Sequence, residues 1–332
     1  MLLHDSMPLK NNLSSDHNRS HRSGIPRVSV VIPAYNVEDY IGQALDTLIQ
    51  QKERPWEILI INDGSTDNTL AIAESYAIHY PFIRIITTTN QGVGKARDLG
   101  LSETTGDYVY FYDPDDYLID ELFLDFAAAH NQNPDIQLFC FNSETGGSSE
   151  RKKKLKIKKA GWFNSAREVF QQLIETRSYT ASLCLFIFKR NILIESGLKF
   201  ERRYHEDHAP SMWLFMTCAP AYVSEKTFHC QRIRPGSLTK SKKQTAYVIE
   251  LCAAYKEALQ IAIDHKLYLP PEILTEYRKR SLKKIIRICK KNRLLFPKDV
   301  AQELQDLART RSLGALSLFA FYFPYTFIRL RY

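Results

Sequence analysis

The sequence predicts an α/β fold built on a doubly wound, mostly parallel sheet. Two observations carry this. Apolar, β-branched runs alternate with segments of helical periodicity at the pitch of βαβ units. Polar and acidic residues gather just past the apolar runs, and open sheets of this kind bind ligands at the carboxyl ends of their strands. The chain has 332 residues, 44% hydrophobic and 25% charged, the balance of a globular protein rather than a disordered or fibrous one.

The elements follow in order. Residues 1–26 are polar and rich in Ser, Asn and His, with no apolar core of signal-peptide length, and are expected to be a disordered lead. Residues 28–33 (VSVVIP) form a buried strand ended by proline. Residues 38–51 carry a helical stripe at Ile41, Leu45, Leu48 and Ile49. Residues 57–61 (EILII) are the second strand, closed by the turn Asn62-Asp63-Gly64-Ser65, with a helix expected over 69–80. Residues 83–87 are the third strand. A glycine-bearing loop over 90–97 leads into a helix through Leu101, and residues 107–112 are the fourth strand.

The fourth strand runs straight into Asp113-Pro114-Asp115-Asp116. Three carboxylates within four residues repel one another unless a hard cation shares the site, and Mg²⁺ or Mn²⁺ suits carboxylate oxygens. Mg²⁺ takes few protein ligands and completes its shell with water and phosphate oxygens, so such a site implies a phosphorylated partner. An Asp-Pro turn opening the next helix is the plainer reading. Asp63 is placed either to accept from a nucleotide base or ribose, or to cap a helix. Lys95 and Arg97 either meet a diphosphate or lie on a solvated helix start. The Gly92-Val93-Gly94 loop fits neither a P-loop nor a dinucleotide fingerprint.

Taken together, residues 28–35 (VSVVIPAY), Asn36, residues 60–67 (IINDGSTD), residues 90–100 (NQGVGKARDLG) and residues 110–116 (YFYDPDD) resemble family-2 glycosyltransferases with a GT-A fold. The resemblance covers about residues 27–135. It implies a Rossmann-like sheet flanked by helices and a nucleotide-sugar donor. It places Pro33, Tyr35, Glu38 and Asp63 around base and ribose, with Arg97 helping to hold the nucleotide. It makes Asp113-Pro114-Asp115 a DxD motif, with Asp115 and Asp116 at a Mn²⁺ or Mg²⁺ ion. Asn62 stands where a second Asp is common, and Asp98 where Asn is common.

Further on, residues 122–129 are expected to be helical, 135–141 a strand, 143–149 a loop and 182–189 a strand. The block Arg203-Tyr204-His205-Glu206-Asp207-His208 precedes an apolar helix. Its acids suit a helix start; the resemblance makes Asp207 the catalytic base and Glu206 its neighbour. Residues 229–239 are similar to the family's Arg-x-Arg-x-Gly-Ser segment, which implies that Arg232 or Arg234 and Ser237 meet the diphosphate. Gln231 replaces the usual Tyr there. The processive motif Gln-x-x-Arg-Trp is absent from the sequence, which favours transfer of single sugars.

The resemblance divides the chain into a donor-binding half (27–135), an acceptor and catalytic half (136–242) and a helical extension (243–332). Net charge is +8, with the positive excess after Glu150. One basic run, 151–159, is a solvated edge, a contact with phosphate on a lipid-linked acceptor, or a contact with anionic lipid. Another surrounds the stripe Leu282, Ile285, Ile286 and Cys289, in the pattern of a helix lying on an anionic membrane or of a packed helix with a solvated basic face. Residues 313–328 are apolar but too short for a span, and are expected to dock at a membrane interface or on protein. The six cysteines lack metal-site or disulfide spacing and are expected to be reduced.

The expected activity is inverting, metal-dependent transfer from a nucleoside-diphosphate sugar, UDP being the commonest. The expected acceptor is a hydroxyl of a glycan or lipid-linked glycan in surface-polysaccharide synthesis, at the cytoplasmic face of the inner membrane. A basic nucleic-acid-binding protein would explain the charge but not the acidic strand end. A sugar nucleotidyltransferase would share the metal and release pyrophosphate.

Overall fold

The computed structural model describes residues 25–146, 159–200, 204–233, 242–265 and 269–294. Among these residues nine strands form one sheet. β1 (Val28–Ala34), β2 (Glu57–Asn62), β3 (Ile83–Thr87) and β4 (Tyr108–Phe111) run parallel in the order β3-β2-β1-β4. Beyond β4 the sheet continues through β8 (Phe186–Lys189), β6 (Leu138–Gly146), β9 (Ala221–Arg232) and β5 (Tyr117–Leu118), with β7 (Gly161–Phe163) beside β9. β8 is antiparallel to both β4 and β6, while β6 and β9 are parallel, so most of the sheet keeps one direction.

Alternation along β1 divides the two cores. Val28, Val30 and Ile32 face α1 (Ile41–Ile49) and α4 (Leu122–Gln132), in a cluster that also takes Ala73 of α2 (Thr69–His79). Val31 faces the other way, into a larger cluster shared with α3 (Val93–Glu103), α5 (Ala166–Glu175), α7 (His208–Thr217), α8 (Thr245–Asp264) and α9 (Pro271–Asn292). A short helix, α6 (Arg190–Ser196), follows β8. Burying both faces explains why β1 and β2 read as continuous apolar runs.

Two devices hold strands β1 to β4 in place. Glu57 is 5% exposed. It accepts hydrogen bonds from Ser29 Oγ, the Thr105 amide and hydroxyl, and Arg84 Nη1, at 2.6–2.9 Å. Burial alone would raise its carboxyl, but those donors hold it below the usual range. Gly100 lets α3 lie directly on β1: a Cβ there would come within 2.3 Å of Val31 Cγ1.

Several expectations need revision. Residues 143–146, expected to begin a loop, extend β6 alongside β9. Residues 183–185 are a 3-10 turn, and only the second half of 182–189 is a strand. Of the two readings of the α9 stripe, the packed helix holds: Leu282, Ile285, Ile286 and Cys289 are buried within the larger core. All six cysteines are buried and none forms a disulfide, as expected. No helix among the described residues is long and apolar enough to cross a membrane. Residues 1–24, 151–158 and 313–328 lie outside the described residues.

Candidate active site

The parallel strands end together. Ala34 pairs Asn62, Asn62 pairs Thr87, and β4 stops one residue short of Tyr112. The loops leaving these ends carry Tyr35, Asp63, Gln91–Gly92 and Asp113–Asp116, which therefore share one rim. Pro33 is buried in β1, and Tyr35 is exposed. Asn36 takes positive φ, and its side chain accepts from the Thr66 amide, tying the first loop to the second. Glu38 accepts from the amide and side chain of Asn68, adding another tie.

Asp63 braces the loop that follows β3. It is buried, and its two oxygens accept from the backbone amides of Gln91 (2.8 Å) and Gly92 (2.7 Å). It thus fixes the loop that launches α3. The side chain next to α2 that meets that helix's first amide is Asp67, through Thr69 N.

At the centre lies Arg97. Its side chain is 3% exposed, and it bridges both halves of the chain. Nη1 donates to Glu206 Oε1 at 2.6 Å and to Asp207 Oδ1 at 2.5 Å; Nη2 donates to Asp113 Oδ1 at 3.0 Å. The guanidinium lies 5.9 Å from the centre of the Phe111 ring. Asp207 is the residue that opens α7, yet its carboxylate makes no cap and turns to Arg97 instead.

Three carboxylates around one guanidinium cannot all ionise easily. Burial, with Glu206 and Asp113 nearby, pushes the Asp207 carboxyl up to about 7 against the opposing pull of Arg97. Burial also acts on Asp113, but there Arg97 prevails and holds the carboxyl below the usual range. Beside them Cys184 is buried, and its thiol is pushed well up by that burial.

The remaining acids diverge. Asp116 is 3% exposed and turns to β9, accepting from the Arg232 amide at 2.9 Å with His229 Nε2 at 3.1 Å from its other oxygen. Asp115 stays half-buried at the rim, and its carbonyl accepts from Arg232 Nε. Arg232 also donates to Gln43, and its guanidinium lies 5.3 and 5.1 Å from the rings of Tyr40 and Tyr117. One cation is thereby held at the mouth. Arg234 and Ser237 lie outside the described residues.

For a divalent ion, the half-buried carboxylate of Asp115 fits as one protein ligand, with water and phosphate oxygens completing the shell. Asp116 is already occupied by β9. Among the described residues no group of three or more His, Cys, Asp or Glu side chains converges as a protein-only cage.

Two features of this site escaped sequence reasoning. His229 and Gln43 are too far away in sequence to be tied to Asp116 and Arg232 by spacing. The position of Arg97 within α3 signals a helix start and says nothing of a residue 110 positions away.

Comparison with known proteins agrees with this geometry. The uncharacterized glycosyltransferase YibD of Escherichia coli is 30% identical over 224 residues, 66% of this chain and 64% of that protein. The uncharacterized glycosyltransferase EpsJ of Bacillus subtilis is 29% identical over 223 residues, covering 65% and 64%. The match thus spans just under two thirds of either relative's length. In fold, the chain is similar to Staphylococcus aureus TarS residues 1–349 in complex with UDP-GlcNAc, with TM-score 0.60, 20% identity, and 86% and 87% of the two chains covered. The family model described as glycosyl transferase family 2 matches residues 29–197, and with the strand-end acids and the GT-A sheet in place, the chain belongs to that family.

Proposed function

We propose that this protein is an inverting glycosyltransferase that moves one sugar from a nucleoside-diphosphate sugar, with UDP as the nucleotide, to a hydroxyl of a glycan acceptor. One observation carries the reading. Asp207 sits in a buried carboxylate cluster beside the strand ends, with its carboxyl pushed up to about 7. A general base works best when its pKa lies near the operating pH.

In this reading the donor lies along the rim formed by Tyr35, Asp63 and Asp113–Asp115. Residues 27–135 hold the donor, 136–242 supply the base and receive the acceptor, and 243–332 form an extension. The acceptor oxygen attacks the anomeric carbon as Asp207 takes its proton. The bond from that carbon to the diphosphate breaks on the opposite face, which inverts the centre. Arg232, held between Gln43 and two tyrosine rings, offers positive charge to the leaving diphosphate. A Mn²⁺ or Mg²⁺ ion held at Asp115 supplies further neutralisation of that diphosphate when bound.

The acceptor belongs to surface polysaccharide and is lipid-linked, with the protein peripheral at the cytoplasmic face of the membrane. The exposed basic side chains Lys283, Arg287 and Lys291 on α9 support that placement, since juxtamembrane basic residues are attracted to anionic lipid.

The test is a thermal-shift screen of nucleotide sugars with and without Mn²⁺, followed by transfer assays on Asp207→Asn. The variant is expected to keep donor affinity within about threefold and lose turnover by about 10²–10⁴-fold. Wild-type turnover in that variant would remove Asp207 as the base.

A further inference from the structure

The family resemblance assigns Arg97 to the nucleotide, but its contacts point elsewhere. Its side chain is 3% exposed, and its hydrogen bonds to Glu206, Asp207 and Asp113 are all to carboxylates of its own chain. Nε is buried and has no hydrogen-bond partner among the described residues, so the guanidinium offers the rim little surface for a phosphate or a base. We propose that Arg97 is a positioning residue for Asp207: its Nη1 fork fixes the two acids at the start of α7, while its Nη2 ties them to Asp113 at the end of β4. The proposal rests on Asp207 being the base.

The geometry explains how one side chain links the halves. Arg97 projects from α3, whose first turn is set by Asp63 through the Gln91 and Gly92 amides. Asp207 enters from α7, more than a hundred residues later, on a segment whose His205 takes positive φ. With no cap bond of its own, the Asp207 carboxylate is oriented by the guanidinium. A planar fork can hold two carboxylates in fixed directions, and an ammonium cannot.

Among the described residues several groups face Asp207. Arg97 favours its ionised form; Glu206 and Asp113 oppose it; the Leu183 amide also favours it. The buried Cys184 thiol and Tyr179 phenol feel its charge. His205 and His208 flank it, their rings 5.5 Å apart. Arg97 is a cation in contact with the base, and its removal moves the base's protonation upward in pH.

The test uses R97K and R97M beside wild type and D207N, each as the full chain with folding checked by circular dichroism. Turnover is UDP released from UDP-N-acetylglucosamine with Mn²⁺ present, followed from about pH 5 to about pH 9. UDP affinity is measured by calorimetry. R97M is expected to shift the acid limb of turnover upward by about one unit or more. Its turnover at neutral pH then falls about fivefold or more and recovers toward alkaline pH. R97K keeps the charge but not the fork. Its limb is expected to stay within about half a unit of wild type, with kcat about tenfold lower and UDP affinity within about threefold.

A tenfold loss of UDP affinity with kcat retained would make Arg97 a nucleotide contact and overturn the proposal. So would an equal loss of kcat at every pH in R97M, which is the signature of a scaffold role, or wild-type behaviour in both variants. If neither variant folds, wild type decides. The Arg97 guanidinium ¹⁵N resonances should titrate with the midpoint of the acid limb, and resonances insensitive to pH across that limb overturn the inference. D207N separates the two readings. Wild-type turnover in D207N removes the base itself, whereas an inactive D207N beside wild-type-like Arg97 variants removes only the positioning role.

Discussion

Asp115 and Asp116 are neighbours in sequence and opposites in environment. Asp116 is buried against β9, where it receives the Arg232 amide and faces His229. Asp115 stays half-buried at the rim. Removing each should therefore have a different effect. Asp115→Ala is expected to abolish the Mn²⁺-dependent part of nucleotide binding, read by calorimetry with and without the ion, while changing thermal stability little. Asp116→Asn is expected to lower stability by about 1–3 kcal/mol, because it disturbs a buried hydrogen-bonded acid. It should leave metal-dependent binding in the protein that remains folded. If the two variants lose metal dependence equally, the ion rests on both carboxylates. The acidic cluster was legible in the sequence as a cluster. Its division into one rim acid and one structural acid depends on β9, whose partner residues lie more than a hundred positions away.

Among the elements, α3 bears most directly on the site. It carries Arg97, and it lies close on β1 because residue 100 is glycine. A Cβ at that position meets Val31 at 2.3 Å, a distance that side chains do not tolerate, so helix or strand must shift. Gly100→Ala is expected to destabilise the protein by about 1–3 kcal/mol. It should also lower turnover, because α3 carries the guanidinium that touches Asp207. Adding Val31→Ala frees the space, so the double variant should recover most of the turnover, with a favourable coupling in a double-mutant cycle. Additive losses would place the fault elsewhere. The strands β1 to β4 and their helices could be read from period and punctuation, since each buries an apolar run or stripe. β9 could not. Its sequence AYVSEKTFHCQR is largely polar, because the strand gathers the buried polar residues Ser224 and His229 and reaches the rim. The amphipathic α5 also went unassigned, although its apolar positions Val169, Phe170, Leu173 and Ile174 are spaced for a helix.

For the whole molecule, the question is which surfaces the extension closes and which it leaves open. α8 and α9 complete the larger core, with Tyr255 and Tyr277 among its fully buried side chains. Ile285→Asp should therefore cost about 3–5 kcal/mol and be seen as a fall in the unfolding midpoint, as expected for a charge placed among core side chains. Replacing exposed Lys283, Arg287 and Lys291 by Gln should change stability by less than about 0.5 kcal/mol. The same triple change should weaken sedimentation with anionic phosphatidylserine vesicles and leave neutral phosphatidylcholine vesicles unaffected. Equal sedimentation of both proteins would remove α9 from any membrane contact.

Local chemistry determined much of this protein. Apolar runs that bury both faces specify parallel strands, glycines and acids mark the turns at their ends, and the motif blocks carry the family. The partners of those acids came from tertiary structure alone. Whether a carboxylate is a base, a ligand or a brace depends on which charge lies within about 3 Å of it, and chain folding brings that charge from positions that sequence spacing does not relate.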